Sequence, residues 1–238
     1  MDKEQILYED KDMIVCYKPA LLATQTARIG QSDMVSEVAN YLAASGHMRT
    51  PPYVGILHRL DQPVEGVLVF AKNQKAVQIL SSQIAKNQTE KYYYAVVVDA
   101  RKEIDAAQEG TLTDYLYKDG KSNLSTIVSQ DQEGAKRADL HYAIQKRMSV
   151  DGFPLALVKI RLLTGRHHQI RAQMSHAGMG LLGDYKYADG QGKEISKRLQ
   201  QKQIALCAYK IGLKHPATNE WMWFQKMPQG QIFQKFFP

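Results

Sequence analysis

The sequence predicts an α+β fold, in which a mixed sheet carries helices packed on it. Short runs of branched aliphatic or aromatic residues recur along the 238 residues and end at Gly, Pro, Asp or Lys, which is typical of strands. Stretches with helical periodicity are few. They are also placed too irregularly for a regular alternation of strand and helix, which disfavours a doubly wound parallel sheet. We expect a single domain over residues 1–238.

Strands are predicted wherever such a run is bounded by turn-forming or charged residues. The runs are short, as strands of globular proteins are. The predicted strands are Met13–Tyr17, Val54–Leu57, Gly66–Ala71, Tyr92–Val98, Leu140–Lys146, Leu155–Leu162, Ile204–Leu213 and Trp221–Phe224.

Helices are predicted in three places. Asp33–Ser45 follows Ser32 and includes Asp33, and either residue can cap a helix. A second helix runs from about Gln74 to Asn87, and a third from about His167 to His176, before the stop signal Gly178. Apolar residues share one face in each: Val35, Val38, Ala39 and Leu42; Ala76, Leu80 and Ile84; and Ile170, Met174 and Ala177.

Composition limits the possible classes of protein. Apolar residues make up 44% and charged residues 23%, as in soluble globular proteins, and no apolar run approaches the roughly 18 residues of a membrane span. Cys16 and Cys207 lie in strand-like runs, so we expect buried thiols and a cytoplasmic protein without a membrane partner. The net charge of +7 fits either a solvated basic surface or a polyanionic partner.

Metal and dinucleotide sites are disfavoured. His168 and His176 are eight residues apart, about two helical turns, which is too far for one metal ion, and the two cysteines have no paired spacing. The run from Gly178 to Gly183 matches G-x-G-x-x-G but follows a helix, whereas a dinucleotide-binding loop follows a strand. We therefore expect neither a metal site nor a dinucleotide-binding loop here.

The most informative segment runs from Val54 to Lys72. Two apolar strands flank a loop with the sequence His58-Arg59-Leu60-Asp61, and Pro63 and Gly66 constrain the chain after it. Rigid strands on both sides would hold Asp61 at a sheet edge, where catalytic groups are common. A solvated loop with a local pairing of Arg59 and Asp61 is the alternative that this pattern leaves open.

A second segment, Leu162 to Gln173, joins a strand to a helix. The N–H groups at the helix start attract anions, and Arg166 adds positive charge beside them, which suits an RNA phosphate or a carboxylate. Arg171 is next to Ile170 and is expected to face partly inward, where it needs an acidic partner. Asp61 is the candidate for that partner, and a solvated basic helix start is the alternative.

Tyrosines open one of the predicted strands. Alternation places Tyr92 and Tyr94 on one face and Tyr93 on the other. A tyrosine in such a position either stacks on a nucleobase or packs into the core. The residue pattern alone leaves both roles open.

Together these segments resemble the ribosomal large-subunit pseudouridine synthase A (RluA) family. The family motif H-R-L-D-x-x-T-S-G corresponds to residues 58–66, K-x-Y-x-A to residues 91–95, and T-G-R-x-H-Q-I-R to residues 164–171, followed by His176, Gly178 and Leu182-Gly183-Asp184. The opening segment from Tyr8 to Lys18-Pro19 also looks like the family's first strand. The ordered match spans about Tyr8 to Tyr187.

The resemblance implies a pseudouridine synthase fold with a largely antiparallel central sheet, flanking helices and a basic cleft. It also implies roles for individual residues. Asp61 corresponds to the aspartate that attacks the target nucleoside, Tyr93 to the tyrosine that stacks on the base or assists proton removal from C5, and Arg171 to the arginine that pairs with the aspartate. Contacts with RNA are expected from Arg59, His58, Lys91, Arg166, His168 and Gln169.

The implied reaction breaks the N1–C1′ bond of a uridine, turns the uracil and joins C5 to C1′. Asp61 would either add to the ribose as a nucleophile or abstract a sugar proton to give a glycal-like intermediate. Flipping the target out of its stack costs a few kcal/mol, least in loops. The resemblance implies no cofactor, and the expected partner of a monomeric enzyme is a stem-loop of rRNA or tRNA.

The chain departs from the family pattern in two respects. Val64-Glu65 replaces Thr-Ser, so that a second carboxylate lies four residues from Asp61. Glu65 is then either solvated and irrelevant, or it alters RNA contacts or the proton affinity of Asp61. Because the match begins near the start of the sequence, we also expect that the small N-terminal RNA-binding module of many relatives is lacking and that recognition comes from the catalytic domain. A non-catalytic RNA-binding protein on the same scaffold is the rival function.

Overall fold

A computed structural model of the chain describes residues 1–28, 30–46, 51–99 and 108–237. Within these ranges the strands are β1 (Ile6–Glu9), β2 (Met13–Lys18), β3 (Gly55–Ile56), β4 (Glu65–Ala71), β5 (Glu90–Asp99), β6 (Glu109–Asp119), β7 (Leu124–Val128), β8 (Lys136–Val150), β9 (Phe153–Leu162), β10 (Met179–Leu181), β11 (Leu206–Lys214) and β12 (Trp221–Gln225). The helices are α1 (Met34–Gly46), α2 (Gln74–Ala85), α3 (Gln169–His176), α4 (Gly190–Arg198) and α5 (Gln231–Gln234), after a 3-10 turn at Lys3–Gln5.

The α+β class is confirmed, and every predicted strand and helix is present. The run Val54–Leu57 contributes only the two-residue β3, and the predicted strand Leu140–Lys146 extends at both ends to form β8. Sequence patterns missed β1, β6, β7 and β10 and the helices α4 and α5. Strand β6 shows why, since most of its residues are only partly buried or exposed and its polar positions hide the apolar signal.

The structure divides into two compact units. The first comprises residues 1–91 and 208–228, and the second comprises residues 92–207 and 229–238. The residues outside the described ranges are excepted in both units. In the first unit β2 pairs antiparallel with both β1 and β4, and β12 pairs antiparallel with β11. The short β3 adds to β4, which also neighbours β11.

One face of the first unit's sheet packs against α2. Leu80 of the helix lies in a core cluster with Val67 and Val69 of β4 and Ile211 of β11. Full burial of such aliphatic side chains stabilises the fold by roughly 1.5–3 kcal/mol each. Asn73 caps the helix, because its side chain accepts a hydrogen bond from the backbone N–H of Ala76.

The cap predicted for α1 is confirmed as Asp33. Its carboxylate accepts the backbone N–H of Ser36 at 2.8 Å and that of Thr26 at 2.7 Å. These bonds lower the pKa of Asp33, because they stabilise the charged carboxylate. The capped helix is thereby joined to the segment that precedes it, which leads back towards β2.

A glycine is required at position 66 by a close approach between strands. Gly66 lies within β4 with φ of +140°, and a Cβ there would lie 2.5 Å from the carbonyl oxygen of Ala208. The sequence analysis expected Gly66 to constrain the chain after Asp61, and the structure adds that its missing side chain lets the backbone at Ala208 come near.

The second unit contains the strand order β5, β9, β8, β6, β7, with β10 paired antiparallel to β5. The pairs β9–β8, β8–β6 and β6–β7 are antiparallel. Helix α3 packs here through Ala172, which shares a cluster with Leu116 and Ala138. The buried amide of Gln173 fastens the helix further by donating to the backbone oxygens of Leu112 and Ala138.

Both cysteine side chains are buried thiols, as the sequence predicts. Burial raises the pKa of the Cys16 thiol to about 12, because the thiolate would lose its hydration. Among the described residues, no helix is long and apolar enough to cross a membrane.

Candidate functional site

Asp61 lies in a tight turn between β3 and β4. The backbone N–H of Val64 donates to the carbonyl oxygen of Asp61 at 3.0 Å and closes the turn. Leu60 and Val64 are buried on either side, whereas Asp61 itself is half-buried. The turn therefore anchors its apolar residues in the first unit and leaves the carboxylate partly accessible.

The segment between β2 and α1 holds this turn in place. Thr24 accepts the backbone N–H of Leu60 at 3.1 Å and donates its hydroxyl to the carbonyl oxygen of the same residue at 2.9 Å. The side-chain amide of Gln62 donates to the carbonyl oxygen of Leu21 at 3.0 Å. Both neighbours of Asp61 are thus tied to one chain segment, which restricts the positions that its carboxylate can take.

Lys18 is the strongest element of this support. It is fully buried, and its ammonium donates to the carbonyl oxygens of Pro19, Leu22 and Gln62 at 2.9, 2.6 and 3.1 Å. Burial lowers the pKa of Lys18 to about 8, and the negative charges of Asp61 and Glu65 oppose that shift. The ammonium therefore brings a positive charge close to the carboxylate of Asp61.

Glu65, the departure from the family motif, is buried in β4. The hydroxyl of Tyr17 donates to its Oε2 at 2.6 Å. The ring of Tyr17 in turn lies 5.4 Å from the ammonium of Lys226. The alternative in which Glu65 is solvated is therefore wrong, because the carboxylate is part of a polar contact inside the first unit.

His58 has an internal role. Its Nε2 accepts the backbone N–H of Val69 at 3.2 Å, so the imidazole braces β4 against the start of the loop. Burial and the positive charge of Lys91 lower the pKa of His58 to about 3. The ring is therefore neutral at physiological pH, and the RNA contact expected of His58 stays a prediction.

The other predicted residues of this unit are more accessible. Arg59 is exposed next to His58 in the loop. Lys91 is half-buried at the start of β5, and burial lowers its pKa. The role in RNA binding that the resemblance implies for these two cations stays a prediction.

Tyr93 is buried on β5, with 8% of its surface exposed, whereas Tyr92 and Tyr94 are only partly buried. Tyr92 lies near the ammonium of Lys159, 5.7 Å from the ring centre, and the ring of Tyr94 contacts Phe237 edge to face. The predicted alternation is therefore confirmed, with Tyr93 on the face opposite the other two tyrosines.

Arg171 is buried on α3, as predicted, and a buried carboxylate pairs with it inside the second unit. Its Nε donates to Oδ2 of Asp184 at 2.7 Å and its Nη2 donates to Oδ1 at 2.9 Å. The guanidinium also lies 4.9 Å from the ring centre of Tyr187. Such a fork-to-fork pair fixes the plane of the guanidinium.

The start of α3 is held by Gln169, whose side chain is buried. Its Oε1 accepts the backbone N–H of Arg166 and the hydroxyl of Thr164, each at 2.9 Å, while its amide donates to Asp139 and Gln173. Gln169 therefore positions the loop from inside the second unit, and the RNA contact expected of it stays a prediction.

Two other predicted residues lie at this helix start. Arg166 is exposed, although its Nε donates to the carbonyl oxygen of Arg137 at 2.8 Å. His168 has a left-handed backbone with φ of 50°, its ring stacks on His167, and its Nδ1 lies 2.8 Å from the hydroxyl of Tyr187. The loop thus presents one exposed cation and a half-buried imidazole.

The predicted catalytic residues are divided between the two units. Asp61 belongs to the first, and Tyr93 and Arg171 belong to the second. The pairing of Arg171 with Asp61 stays a prediction, and Asp184 is a partner that sequence reasoning did not anticipate.

Sequence reasoning also assigned no role to Lys18 or Asp184, although both lie in quoted motifs. Lys18-Pro19 ends the opening segment, and Asp184 ends Leu182-Gly183-Asp184. The available signal was a charged residue next to a strongly apolar run, which indicates a buried charge that needs partners. Which atoms become the partners depends on the folded chain, since Gln62 is 44 residues from Lys18 and Arg171 is 13 residues from Asp184.

One group of side chains has a composition that suits a metal ion. Ligand atoms of Asp10, Asp12 and His215 lie within 4.8 Å of one another. However, Nε2 of His215 lies 2.7 Å from Asp10, and its Nδ1 accepts the backbone N–H groups of Ala217 and Thr218. Because both ring nitrogens are engaged, the histidine serves as a link between two turns.

Comparison with protein families gives one match over most of the chain. Residues 12–176 match the model of the RNA pseudouridylate synthase family. This range includes the Asp61 turn, Tyr93 and all of α3.

Individual proteins support the same relationship. The chain is 32% identical over 228 residues to an uncharacterized RNA pseudouridine synthase, YlyB, of Bacillus subtilis, covering 92% of this chain and 67% of that protein. It is 31% identical to ribosomal large subunit pseudouridine synthase D of Zymomonas mobilis, covering 94% and 69%. It is 26% identical to tRNA pseudouridine synthase C of Yersinia pestis, covering 91% and 83%.

A solved structure supports the fold. Human RNA pseudouridylate synthase domain containing 4 superposes with a TM-score of 0.74 at 22% identity, covering 95% of this chain and 89% of that one. At this identity the similarity concerns the fold alone.

Proposed function

Since the chain belongs to the RNA pseudouridine synthase family, whose members are isomerases, we propose that it converts a particular uridine of a structured RNA to pseudouridine, with Asp61 as the catalytic group. The observation that carries this proposal is the anchored turn of residues 60–64, which restricts the position of a partly accessible carboxylate. Restricting a catalytic group before the substrate arrives reduces the entropy lost in the reaction.

The residues of the turn fit this chemistry. A carboxylate near the ribose either adds to C1′ or removes a sugar proton, and both routes loosen the N1–C1′ bond. The negative charge of Asp61 acts on Lys18, where it opposes the lowering of the pKa by burial. Lys18 is a positioning residue, because its three hydrogen bonds all go to the backbone of the surrounding loops.

Tyr93 and Arg171 complete the proposed set. Tyr93 is the residue that stacks on the uracil or assists removal of the proton from C5, and Arg171 is the arginine that pairs with Asp61. The bidentate contact with Asp184 supports the role of Arg171, because it fixes the orientation of the guanidinium. RNA phosphates are met by Arg59, Lys91 and Arg166, and His168 adds a contact near the start of α3.

The substrate is an rRNA or tRNA stem-loop, and the enzyme acts as a monomer without a cofactor. Relatives of both kinds support this class, since one is named as a ribosomal large subunit enzyme and another as a tRNA enzyme. Loops are the least costly places from which to flip a base. The net charge of +7 favours association with a polyanion.

The test is conversion of RNA that carries tritium at C5 of uridine. Formation of the C5–C1′ bond expels that hydrogen, so released tritium counts turnovers. We expect the wild-type protein to release tritium from rRNA or tRNA transcripts and Asp61→Asn to release none. The control is Asp131→Asn, which makes the same substitution at an exposed aspartate and should keep full activity.

Two outcomes would contradict the proposal. Undiminished release by Asp61→Asn would remove Asp61 from the catalytic role. RNA binding by the wild-type protein without release from any cellular RNA fraction, and equally strong in Asp61→Asn, would favour a non-catalytic RNA-binding protein.

A further inference from the structure

Both tryptophans of the chain lie on β12 and both are exposed. Trp221 is 40% exposed and Trp223 is 42% exposed, and the protein has no third tryptophan. Because they are two residues apart, their side chains are on the same face of the strand. Their rings meet edge to face with centres 5.6 Å apart. An exposed indole pair of this kind is uncommon on a surface that contacts only water.

The core does not require this arrangement. Met222 and Phe224 alternate with the tryptophans and face the opposite side, where they contribute to the cluster with Leu80 and Ile211. The strand therefore supplies its buried face with two other residues. The two indoles add a large, partly exposed apolar area to the other face of the strand.

A glycine on the neighbouring strand makes room for both rings. Gly212 of β11 pairs with Trp223, and a Cβ built on it would lie 2.6 Å from Trp223 and 2.8 Å from Trp221. Any larger residue at position 212 would push one or both indoles away. The pair is thus seated on the backbone of β11 rather than hanging loosely in solvent.

Lysines surround the indoles. The ammonium of Lys210 lies 4.2 Å from the ring centre of Trp223, and Lys214, which pairs with Trp221, is exposed. Residues paired across two strands point to the same face of the sheet, so all four side chains share one surface. We call Lys210, Lys214, Trp221 and Trp223 the tryptophan surface.

We propose that the tryptophan surface binds unpaired nucleotides of the RNA substrate, separately from the uridine that reaches Asp61. This proposal rests on the proposed function, which makes RNA the substrate. Indoles stack on bases of any sequence, and lysines beside them meet the phosphates. Protein interfaces, by contrast, are depleted of lysine around their aromatic centres, so the chemistry of this surface favours RNA over a protein partner.

The tryptophan content provides a direct readout, because all indole emission comes from the tryptophan surface. We expect a single-stranded oligouridylate to quench this emission saturably when titrated into the full chain. Inorganic polyphosphate carries the charge without bases and should leave the emission nearly unchanged. Equal quenching by polyphosphate would overturn the stacking model, as would oligouridylate binding, followed by anisotropy, that leaves the emission unaltered.

Kinetics provide the second readout. Trp221→Ala and Trp223→Ala should each raise KM for a loop-containing RNA about five- to tenfold with kcat retained, since one lost stack is worth at least about a factor of five. Trp221→Phe should keep most of the affinity, because it preserves a stacking ring. Tyr53→Ala removes an aromatic side chain of similar exposure outside the tryptophan surface and should change KM little.

The lysines have their own signature. Lys210→Gln with Lys214→Gln should lower the slope of log affinity against log salt by about 1.4, since each phosphate contact on a single strand contributes about 0.7. Thermal melts check that each variant folds. Unchanged KM and salt slope in folded variants would overturn the proposal, whereas loss of conversion in Asp61→Asn with quenching retained would leave it standing. Quenching by a protein that converts no RNA would count against the proposed function alone.

Discussion

The side-chain nitrogen of Lys18 lies 3.1 Å from the carbonyl oxygen of Gln62, the residue that follows Asp61. The same nitrogen holds two further carbonyl oxygens from the segment after β2. A buried ammonium is stable only with such partners, and here the partners are the backbone that shapes the proposed catalytic turn. The relationship links the charge balance of the interior to the position of one carboxylate.

Replacing Lys18 should therefore damage both stability and turnover. We expect Lys18→Met to lower the unfolding free energy by roughly 3 kcal/mol, because three carbonyl oxygens lose their donor and two carboxylates lose a nearby cation. Tritium release per folded molecule should also fall at least about tenfold, because a misplaced catalytic group is costly. Lys11→Met, an exposed lysine next to β2, is the control, and equal activity of the two variants would contradict the positioning role.

The depressed pKa of Lys18 predicts a pH dependence of stability. The pKa is about 8 in the folded chain and 10.5 ordinarily, so between these values the unfolded chain binds the extra proton. The unfolding free energy should then rise with pH across that window, by at most about 1.4 kcal/mol per pH unit from this group. Urea unfolding of the wild-type protein and Lys18→Met at several pH values measures the difference. Parallel curves would refute the assignment.

The lowered pKa of His58 predicts a second pH dependence of stability, at acidic pH. Its pKa of about 3 lies below the ordinary 6.5, so the stability that it contributes is complete above pH 6.5 and is lost as pH falls towards 3. Between pH 7 and pH 5 this group alone should cost about 2 kcal/mol. His58→Gln, whose amide oxygen can still accept from Val69, should flatten that part of the curve.

The contact between Tyr17 and Glu65 can be tested by a double-mutant cycle. Tyr17→Phe should cost about 1–3 kcal/mol, because a buried carboxylate oxygen loses its donor at 2.6 Å. Glu65→Gln removes the charge and keeps the shape. The coupling between the two substitutions should exceed about 0.5 kcal/mol, as it does for residues in direct contact. Additive effects in urea unfolding would mean that the contact carries no energy.

Asp184→Asn probes the buried pair in the second unit. It removes one charge from a bidentate contact with Arg171 and should lower the unfolding free energy by about 3 kcal/mol. Arg171→Lys should also destabilise, since an ammonium cannot reproduce the two parallel bonds. Asp189→Asn, which retains a capping oxygen at the start of α4, should cost little by comparison. A loss below about 1 kcal/mol for Asp184→Asn would contradict this account.

The spacing of apolar residues predicted much of the fold, because it depends on which side of each strand or helix is buried in the interior. The all-buried strands β2 and β4 consist of apolar runs that end at Lys18 and begin after Glu65, and α2 repeats its apolar residues at helical spacing. The sequence patterns did not predict strands such as β6 and β7, because these strands form by pairing with neighbouring strands. Most of their residues are exposed or only partly buried, so the apolar signal is weak. Their strand character depends on partners rather than on composition.

By itself the sequence determined the α+β class, the family resemblance, the anchored Asp61 loop as the candidate site and the inward direction of Arg171. Only the tertiary structure decided that Lys18 supports the turn, that Glu65 is buried against Tyr17, that Asp184 holds Arg171, and that His58 and Gln169 have internal partners. The physical reason is the distance along the sequence over which each effect acts. Periodicity and turn chemistry act over a few residues, whereas a buried charge is satisfied by whichever atoms the folded chain brings near it, and several of these lie tens of residues away.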